Sequence, residues 1–593
     1  MKHTLLLLTA CLSFILSCQT KKEVKNTNAN PQLDSLLNQY YEERLNYFPL
    51  EATAINDRRF NNILRIDISD AYRDTLKVFY SKYQDKLKAI DRSKLDGQSV
   101  LSYDVFQYEM KMQLEGLQFH DNLMPVNQFW SMYLTFPQLG SGAGNQPFKN
   151  TEDYDNFLGR IHDFTIYNDT AISNMRRGMA MGIVPAKVLM ERVLPQLEGI
   201  IVADPMNSIF ADPIKKFPDS IVQVDRDRLT SLYKKAITDE IVPAFKKMHD
   251  FIRDEYLPKC LPNAGISNVP GGKEYYAFLT RLWTTTEMTP DQVYEIGQKE
   301  VARLRTEMER VKESTGFKGT LKEFFNFIHT NKQFFPYKKP QEVIDGYYAI
   351  EKREEPKLKE MFNLVPKAKF EVRQTEKFRE ASASAEYNQS APDGSRPGIF
   401  YVPIPDPTKY NVVGMEDLFL HEAIPGHHYQ TSIQQENEDL PKFRRFGWYG
   451  AYGEGWALYT ESLGKELGLY TDPYQYFASL SEEMHRALRL VVDVGMHMKG
   501  MTREEAIQLS LENDAESEAD ITVEIERYMA IPGQALAYKI GQMKILELRA
   551  RAEKELGSKF SIKDFHDEVL RDGCLPLAIF ERKMLDWIER KKK

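Results

Sequence analysis

The chain has 593 residues, 42% of them hydrophobic and 28% charged, with a formal net charge of −8. That length suggests two to four domains, or one large domain with subregions, and the composition is that of a globular protein. The acidic balance, with no long basic run, excludes tracking along a phosphate backbone, so nucleic acid is not an expected partner.

Lys2 and His3 precede an apolar run from Leu5 to Leu16 that ends in Ser17-Cys18. A short positive start, an apolar centre and a small residue at the cut make a signal peptide, and the run is too short to span a membrane. Ile15-Leu16-Ser17-Cys18 resembles a bacterial lipobox. That implies lipidation of Cys18 and a location at the cell envelope, on the membrane. Leu8-Thr9-Ala10-Cys11 has a similar form, but the chain stays apolar beyond it. An ordinary secreted protein cut near residue 18 is the plainer alternative. Residues 19–32 are polar and read as a tether.

Helical spacing of apolar residues then dominates. It predicts helices over 33–47, 73–90, 152–168, 221–256, 289–313, 341–362 and 456–469, and almost continuous helix from 474 to 556. Strand signals are limited to Lys369–Gln374 and Gly398–Pro403. Loops rich in Pro and Gly fall at 257–273 and 388–408. The first divides an N-terminal helical region, 33–265, from a C-terminal region, 266–593, that holds the candidate site. Cys260 and Cys574 are isolated from each other, no CxxC pair exists, and neither a disulfide nor a thiolate metal site is expected.

Three of the eleven histidines fall within eight residues, in the segment HEAIPGHH from His421 to His428. The arrangement is close to His-Glu-x-x-His, in which two imidazoles on one helical face bind zinc and the Glu is the general base. Here position 425 is Pro, and the next histidines are His427 and His428. A straight helix favours His428 as the partner of His421, while a bend or widened turn at Pro425-Gly426 delivers His427. Spacing leaves that choice open. A carboxylate is the expected third ligand. Glu454 and Glu461, seven apart in GEGWALYTE, share a helical face. Glu454 is taken as the ligand, and Glu461 either orients a ligand imidazole or is a solvated carboxylate.

The runs HEAIPGHHYQ, EGWALYTESLGKELGLYTDPY, RALRLVVDVGMH and ERYMAIPGQALAYKIGQMKILELR, with SAPDGSRPGIFYVP upstream and FHDEVLRDGCLPL downstream, resemble the DUF885 family of bacterial proteins. The resemblance spans about Leu33 to Asp586. It implies a mainly α, zincin-like helical fold of gluzincin type with a small β-sheet beside the active-site helix. In the family motif His-Glu-x-x-Pro-Gly-His the recurrent histidine matches position 427, which favours His427 over His428.

The expected activity is therefore that of a zinc-dependent hydrolase, a metallopeptidase cleaving short peptides. Zn2+ is held by His421, His427 and Glu454, and Glu422 moves the proton of the attacking water. Tyr538, then His497, then Tyr528 are the candidates to face the developing oxyanion. Arg486, Arg489, Asp493 and His497 share a helical face, either to grip a substrate carboxylate or as a buried network. Gly398–Pro403 could pair with an extended substrate or be an ordinary sheet strand. Trp448, Tyr449 and Tyr452 either line the pocket or pack. Two other readings are a zinc hydrolase of non-peptide amides or esters and a catalytically inactive peptide-binding lipoprotein.

Overall fold

The computed structural model describes residues 30–377, 380, 384–391, 394 and 396–593. The signal peptide, Cys18 and most of the tether lie outside them. The last tether residues, Pro31 and Gln32, already belong to the first helix, Pro31–Tyr47, which Asn30 caps by accepting from the Leu33 N–H.

The fold is mainly α with one small sheet. Sequence signals explain many helix boundaries. Helix Pro290–Ser314 starts in a capping box of Thr289 and Gln292 with Pro290 as its first residue. Helix Thr151–Met181 starts in a box of Asn150 and Asp153 and ends on Gly182 at φ 72°. The continuous helix expected over 474–556 is four: Pro473–Met498, Arg503–Leu511, Glu518–Ala530 and Ala537–Leu556. Thr502 and Ser517 cap two of the new starts, and Gly533, at φ 81°, precedes the last.

The sheet has three strands, β1 (Phe370–Gln374), β2 (Glu386–Asn388) and β3 (Gly398–Val402), in the order β1-β3-β2. β3 pairs parallel with β1 and antiparallel with β2, and all five of its residues are buried. This decides between two readings of the segment in favour of an ordinary sheet strand. The GIFYV strand has partners on both edges, so it cannot receive an extended substrate.

One core cluster joins the sheet to the helices around HEAIPGHH and to the C-terminal helices, with Phe400, Phe419, Trp456, Leu490, Val494 and Phe580 among its members. A second lies within the N-terminal helices and takes in Val492 and Met496. A third centres on helices Pro31–Tyr47, Asp70–Lys88 and Gly97–Gly116. Helix 473–498 thus sends alternate residues into the first two. Helices Gly450–Ser462 and Ala537–Leu556 cross at glycines. A Cβ on Gly541 would come within 1.7 Å of the Ala451 carbonyl oxygen, and one on Gly455 within 2.5 Å of Gly541. Cys260 and Cys574 are both free thiols. Among the described residues no helix is long and apolar enough to cross a membrane.

Candidate metal centre

Helix Met415–Glu422 begins after Gly414, whose φ is 95°, and carries His421 and Glu422 in its last turn. Ala423 leaves the helical region at φ −106°, ψ −106°, the Ile424–Pro425 bond is cis, and a second helix, His427–Glu436, begins. Sequence reasoning expected one bent or widened helix. The structure has two, because Pro425 offers no N–H to continue the first. A Cβ on Gly426 would lie 2.0 Å from the His421 carbonyl oxygen, so only glycine fits. Trp456 Nε1 donates to the Pro425 carbonyl at 2.9 Å and the Thr460 hydroxyl to the Leu420 carbonyl at 2.8 Å. Both sides of the break are thereby held to helix 450–462, which carries Glu454.

The restart at His427 separates the roles of the two adjacent histidines. His427 Nε2 lies 3.5 Å and His421 Nε2 3.7 Å from the same oxygen, Glu454 Oε2. One donor atom from each of the three side chains falls within 4.8 Å of the others. Donors held about 2.0–2.1 Å from a tetrahedral zinc lie roughly 3.3 Å apart, so this His₂Glu set fits the ion expected there. His428 turns the other way. Its Nδ1 accepts from the Tyr387 hydroxyl at 2.9 Å, beside Gly398 of β3, and burial pushes its pKa down to about 4.

Glu461 is buried and its Oε1 accepts from His421 Nδ1 at 2.6 Å. This places the Nδ1 proton on the outer side and points Nε2 inward, toward Glu454. Burial opposes a charge on His421, but the hydrogen bonds with Glu454 and Glu461 prevail and hold its pKa well above the usual value. Burial likewise acts to raise Glu454, yet the charge of His427 and hydrogen bonds with both histidines keep it far below the ordinary carboxylate range. Asp417, behind Glu461, is pushed up to about 7 by burial and by the Glu461 charge. Carboxylates outnumber imidazoles here, and such a pocket attracts a cation. Glu422 Oε1 lies 4.0 Å from His421 Nε2, and its side chain is twice as exposed, 14% against 7%. A general base needs that access.

The three oxyanion candidates have partners of their own. His497 is buried. Its Nδ1 accepts from the Ile266 N–H at 3.0 Å and its Nε2 donates to the Tyr528 carbonyl at 3.0 Å. With both nitrogens committed to backbone, it braces the helices and is not catalytic. The Tyr528 hydroxyl accepts from Arg489 at 3.0 Å and donates to Glu524 at 2.8 Å. Tyr538 sits under the Arg489 guanidinium, 4.6 Å from ring centroid to charge, and its hydroxyl accepts from Gln534 at 3.5 Å. No hydrogen bond joins any of the three to His421, His427 or Glu454 among the described residues. Arg486 is paired with Glu482, and Asp493 accepts from Tyr276 and from the Gly533 N–H. The shared face on helix 473–498 is therefore the buried network. A tyrosine pair missed in the sequence is coupled electrostatically to Glu422. The Tyr347 and Tyr410 hydroxyls are 2.7 Å apart, and Glu422 is near enough that its charge adds to burial in raising the Tyr347 pKa. No local pattern marks residues 347 and 410, which meet only through the fold.

Of the aromatic residues before helix 450–462, Trp448 tilts over His427 with ring centroids 6.0 Å apart and packs on Gly453. Tyr449 donates to Glu109 at 3.4 Å. Tyr452 is buried and donates to the Val569 carbonyl at 2.6 Å, so it packs.

A family model described as "Bacterial protein of unknown function (DUF885)" matches residues 49–584. The solved structure of a "putative lipoprotein" from Colwellia psychrerythraea is similar at 28% identity and TM-score 0.86, over 94% of this chain and 99% of that one. Another, a "putative lipoprotein of unknown function" from Shewanella oneidensis, shares the fold at 19% identity and TM-score 0.74, over 93% and 99% of the two chains. No curated protein matches the sequence.

Proposed function

The chain belongs to the DUF885 family, and for this member we propose a metal-dependent hydrolase, a zinc metallopeptidase acting on short peptides and anchored at the cell envelope through Cys18. The carrying observation is the convergence of His421, His427 and Glu454 on one point, with Glu422 beside it and Glu461 fixing the His421 ring. The gluzincin-like character and the lipid anchor are part of this reading. The description of the Colwellia relative as a lipoprotein supports the anchor.

Bound by those three side chains, zinc supplies Lewis acidity toward a carbonyl and makes water more acidic. The protein's own groups do the rest. Glu422 takes the proton from the attacking water and returns it to the leaving amine. Glu461 keeps the His421 ring oriented through both stages. Trp448 walls one side of the site and excludes water from it. Tyr410, joined to Tyr347 beside Glu422, offers a hydroxyl for the developing oxyanion, the role expected of Tyr538 from the sequence. A binding protein has no use for a general base, so the presence of Glu422 favours hydrolysis over peptide capture.

The test is to purify the chain from residue 19, measure bound metal, and profile hydrolysis of a peptide library by wild type and Glu422→Gln. The expected result is about one zinc per chain and a loss of activity on the order of 10²-fold or more with metal retained. A protein that holds no metal, or a Glu422→Gln enzyme as fast as wild type, overturns the proposal.

A further inference from the structure

Among the described residues, three other than glycine hold a left-handed backbone: Asn56, Thr285 and Tyr470, at φ 64°, 53° and 55°. Asparagine tolerates that region, whereas a branched or bulky side chain is strained in it. Thr285 ends helix Gly272–Thr284, and its hydroxyl accepts from the Leu577 N–H at 2.7 Å, at a junction with the C-terminal helix. Tyr470 is joined instead to both helices that carry the metal ligands.

Tyr470 lies in the connection between helices Gly450–Ser462 and Pro473–Met498. Its ring is buried over Gly464, where a Cβ would come within 2.1 Å of it, and it meets Tyr476 with centroids 6.1 Å apart. From this backbone its two donors reach one neighbour, the first turn of helix 415–422. The Tyr470 N–H donates to Glu416 Oε2 at 2.6 Å, and the hydroxyl lies 2.9 Å from Asp417 Oδ1. Arg353 donates to the other Glu416 oxygen at 2.6 Å, so both oxygens of that carboxylate are held. The same Tyr470 hydroxyl lies 3.0 Å from the Glu461 carbonyl. It carries one proton, so it donates to one of the two oxygens at a time, or donates to the Glu461 carbonyl while a protonated Asp417 donates to it.

These contacts complete a set of cross-ties. Trp456 reaches Pro425, Thr460 reaches Leu420, and Tyr470 joins Asp417 to Glu461. Residue numbers rise on one side as they fall on the other, so the two helices run antiparallel and are tied at three levels. The first two ties end on backbone carbonyls at the C-terminal end of helix 415–422 or just beyond it. The third grips the opposite end of that short helix, one turn before His421. It also holds the backbone of Glu461, whose side chain orients the His421 ring. A left-handed tyrosine persists only where its surroundings over-determine it, and such strain gathers at functional sites.

We propose that Tyr470 is a positioning residue of the metal centre: its left-handed backbone and its hydroxyl fix helix 415–422 against helix 450–462 and so set the distance from His421 to Glu454. The inference rests on the metal-centre part of the hydrolase reading and not on which bond is cut.

The experiment uses the full chain from residue 19 as wild type, Tyr470→Phe and Tyr476→Phe. Tyr470→Phe keeps the ring and the N–H and removes the hydroxyl alone. Tyr476→Phe is the control, because it takes a hydroxyl from the neighbouring ring that is bonded to Glu307 at 3.2 Å. Zinc affinity is read by competition with a chelator, and the visible absorption of the cobalt-substituted protein reports the geometry of the ligands. Tyr470→Phe is expected to lose about three- to tenfold in zinc affinity, less than a direct partner of a ligand costs. It should also change the position and intensity of the cobalt bands, while Tyr476→Phe changes neither reading. Urea unfolding of the metal-free proteins separates this from a general loss of stability. A Tyr470→Phe protein that is less stable yet keeps the wild-type zinc affinity and cobalt spectrum overturns the inference, as does a Tyr476→Phe protein that shifts both readings equally. If Tyr470→Phe does not fold, Asp417→Ala takes its place with the same expectation, and unchanged readings overturn the inference in the same way. A wild type that binds neither ion overturns the metal centre and this inference with it. A wild type that binds zinc, matched by Tyr470→Phe, overturns the inference alone.

Discussion

Glu461 never needs to touch substrate, yet it should set how tightly the metal is held. Its Oε1 is 2.6 Å from His421 Nδ1 and its side chain is 2% exposed, so no water replaces the bond if it is removed. Losing such an outer partner of a ligand histidine costs about 10- to 100-fold in metal affinity, or ~1.4–2.8 kcal/mol. Glu461→Gln keeps an acceptor but loses the charge, and charge-assisted hydrogen bonds are about twice as strong as neutral ones. The Gln variant should therefore fall near the tenfold end, and Glu461→Ala near the hundredfold end with a freed imidazole. Zinc affinity is read by competition against a chromophoric chelator at fixed pH, with circular dichroism confirming the fold. An Ala variant that binds zinc as tightly as wild type would refute both the brace and the assignment of His421.

Three further outcomes follow from the geometry. His427→Ala should abolish stoichiometric zinc, whereas His428→Ala should retain it and lose only stability, because His428 is bonded to Tyr387; metal analysis of the two proteins decides. Gly541→Ala drives a methyl into the Ala451 carbonyl and should cost about 1–3 kcal/mol in urea unfolding while weakening zinc binding, since helix 450–462 carries Glu454. Glu354 is fully buried with neither carboxyl oxygen hydrogen-bonded among the described residues, and burial raises its pKa well above the usual value. The folded state then binds the proton more tightly than the unfolded state, so stability falls as pH rises above the unfolded pKa. Glu354→Gln should be more stable than wild type at pH 8, by on the order of 1–3 kcal/mol, with the advantage shrinking toward pH 4. Paired urea titrations at the two pH values test it, and an advantage that grows at low pH would contradict the account.

What the sequence made legible was local. Histidines six apart, a Pro-Gly break between them and carboxylates seven apart were enough to nominate His421, Glu454 and the Glu461 brace, because each depends on periodicity or on a single backbone restriction. The same logic could not decide between His427 and His428. That choice turns on where the second helix restarts, which in turn depends on Trp456 and Thr460 holding the break. His497 looked suitable as a donor from its place on the helical face, and only packing shows both its nitrogens already committed to backbone. The Tyr347–Tyr410 pair lies further still from local reading, since 63 residues separate the two hydroxyls that meet. β2 was missed for a simpler reason: three residues with exposed ends carry too little alternation to register.

The alternation along helix 473–498 has a mechanical consequence. Leu490 and Val494 are embedded in the core around the metal centre, and Val492 and Met496 in the core of the N-terminal helices. Phe477 and Met484 enter a further cluster, with Leu304, Met308 and Phe324, in the first half of the same helix. Close-packed interiors transmit displacement rather than absorb it. The helix therefore acts as a common axle: a shift that relieves strain on one side loads the other. Heat or denaturant applied to either half should reach the metal ligands through this one element, and the chain should lose its metal and its N-terminal packing together.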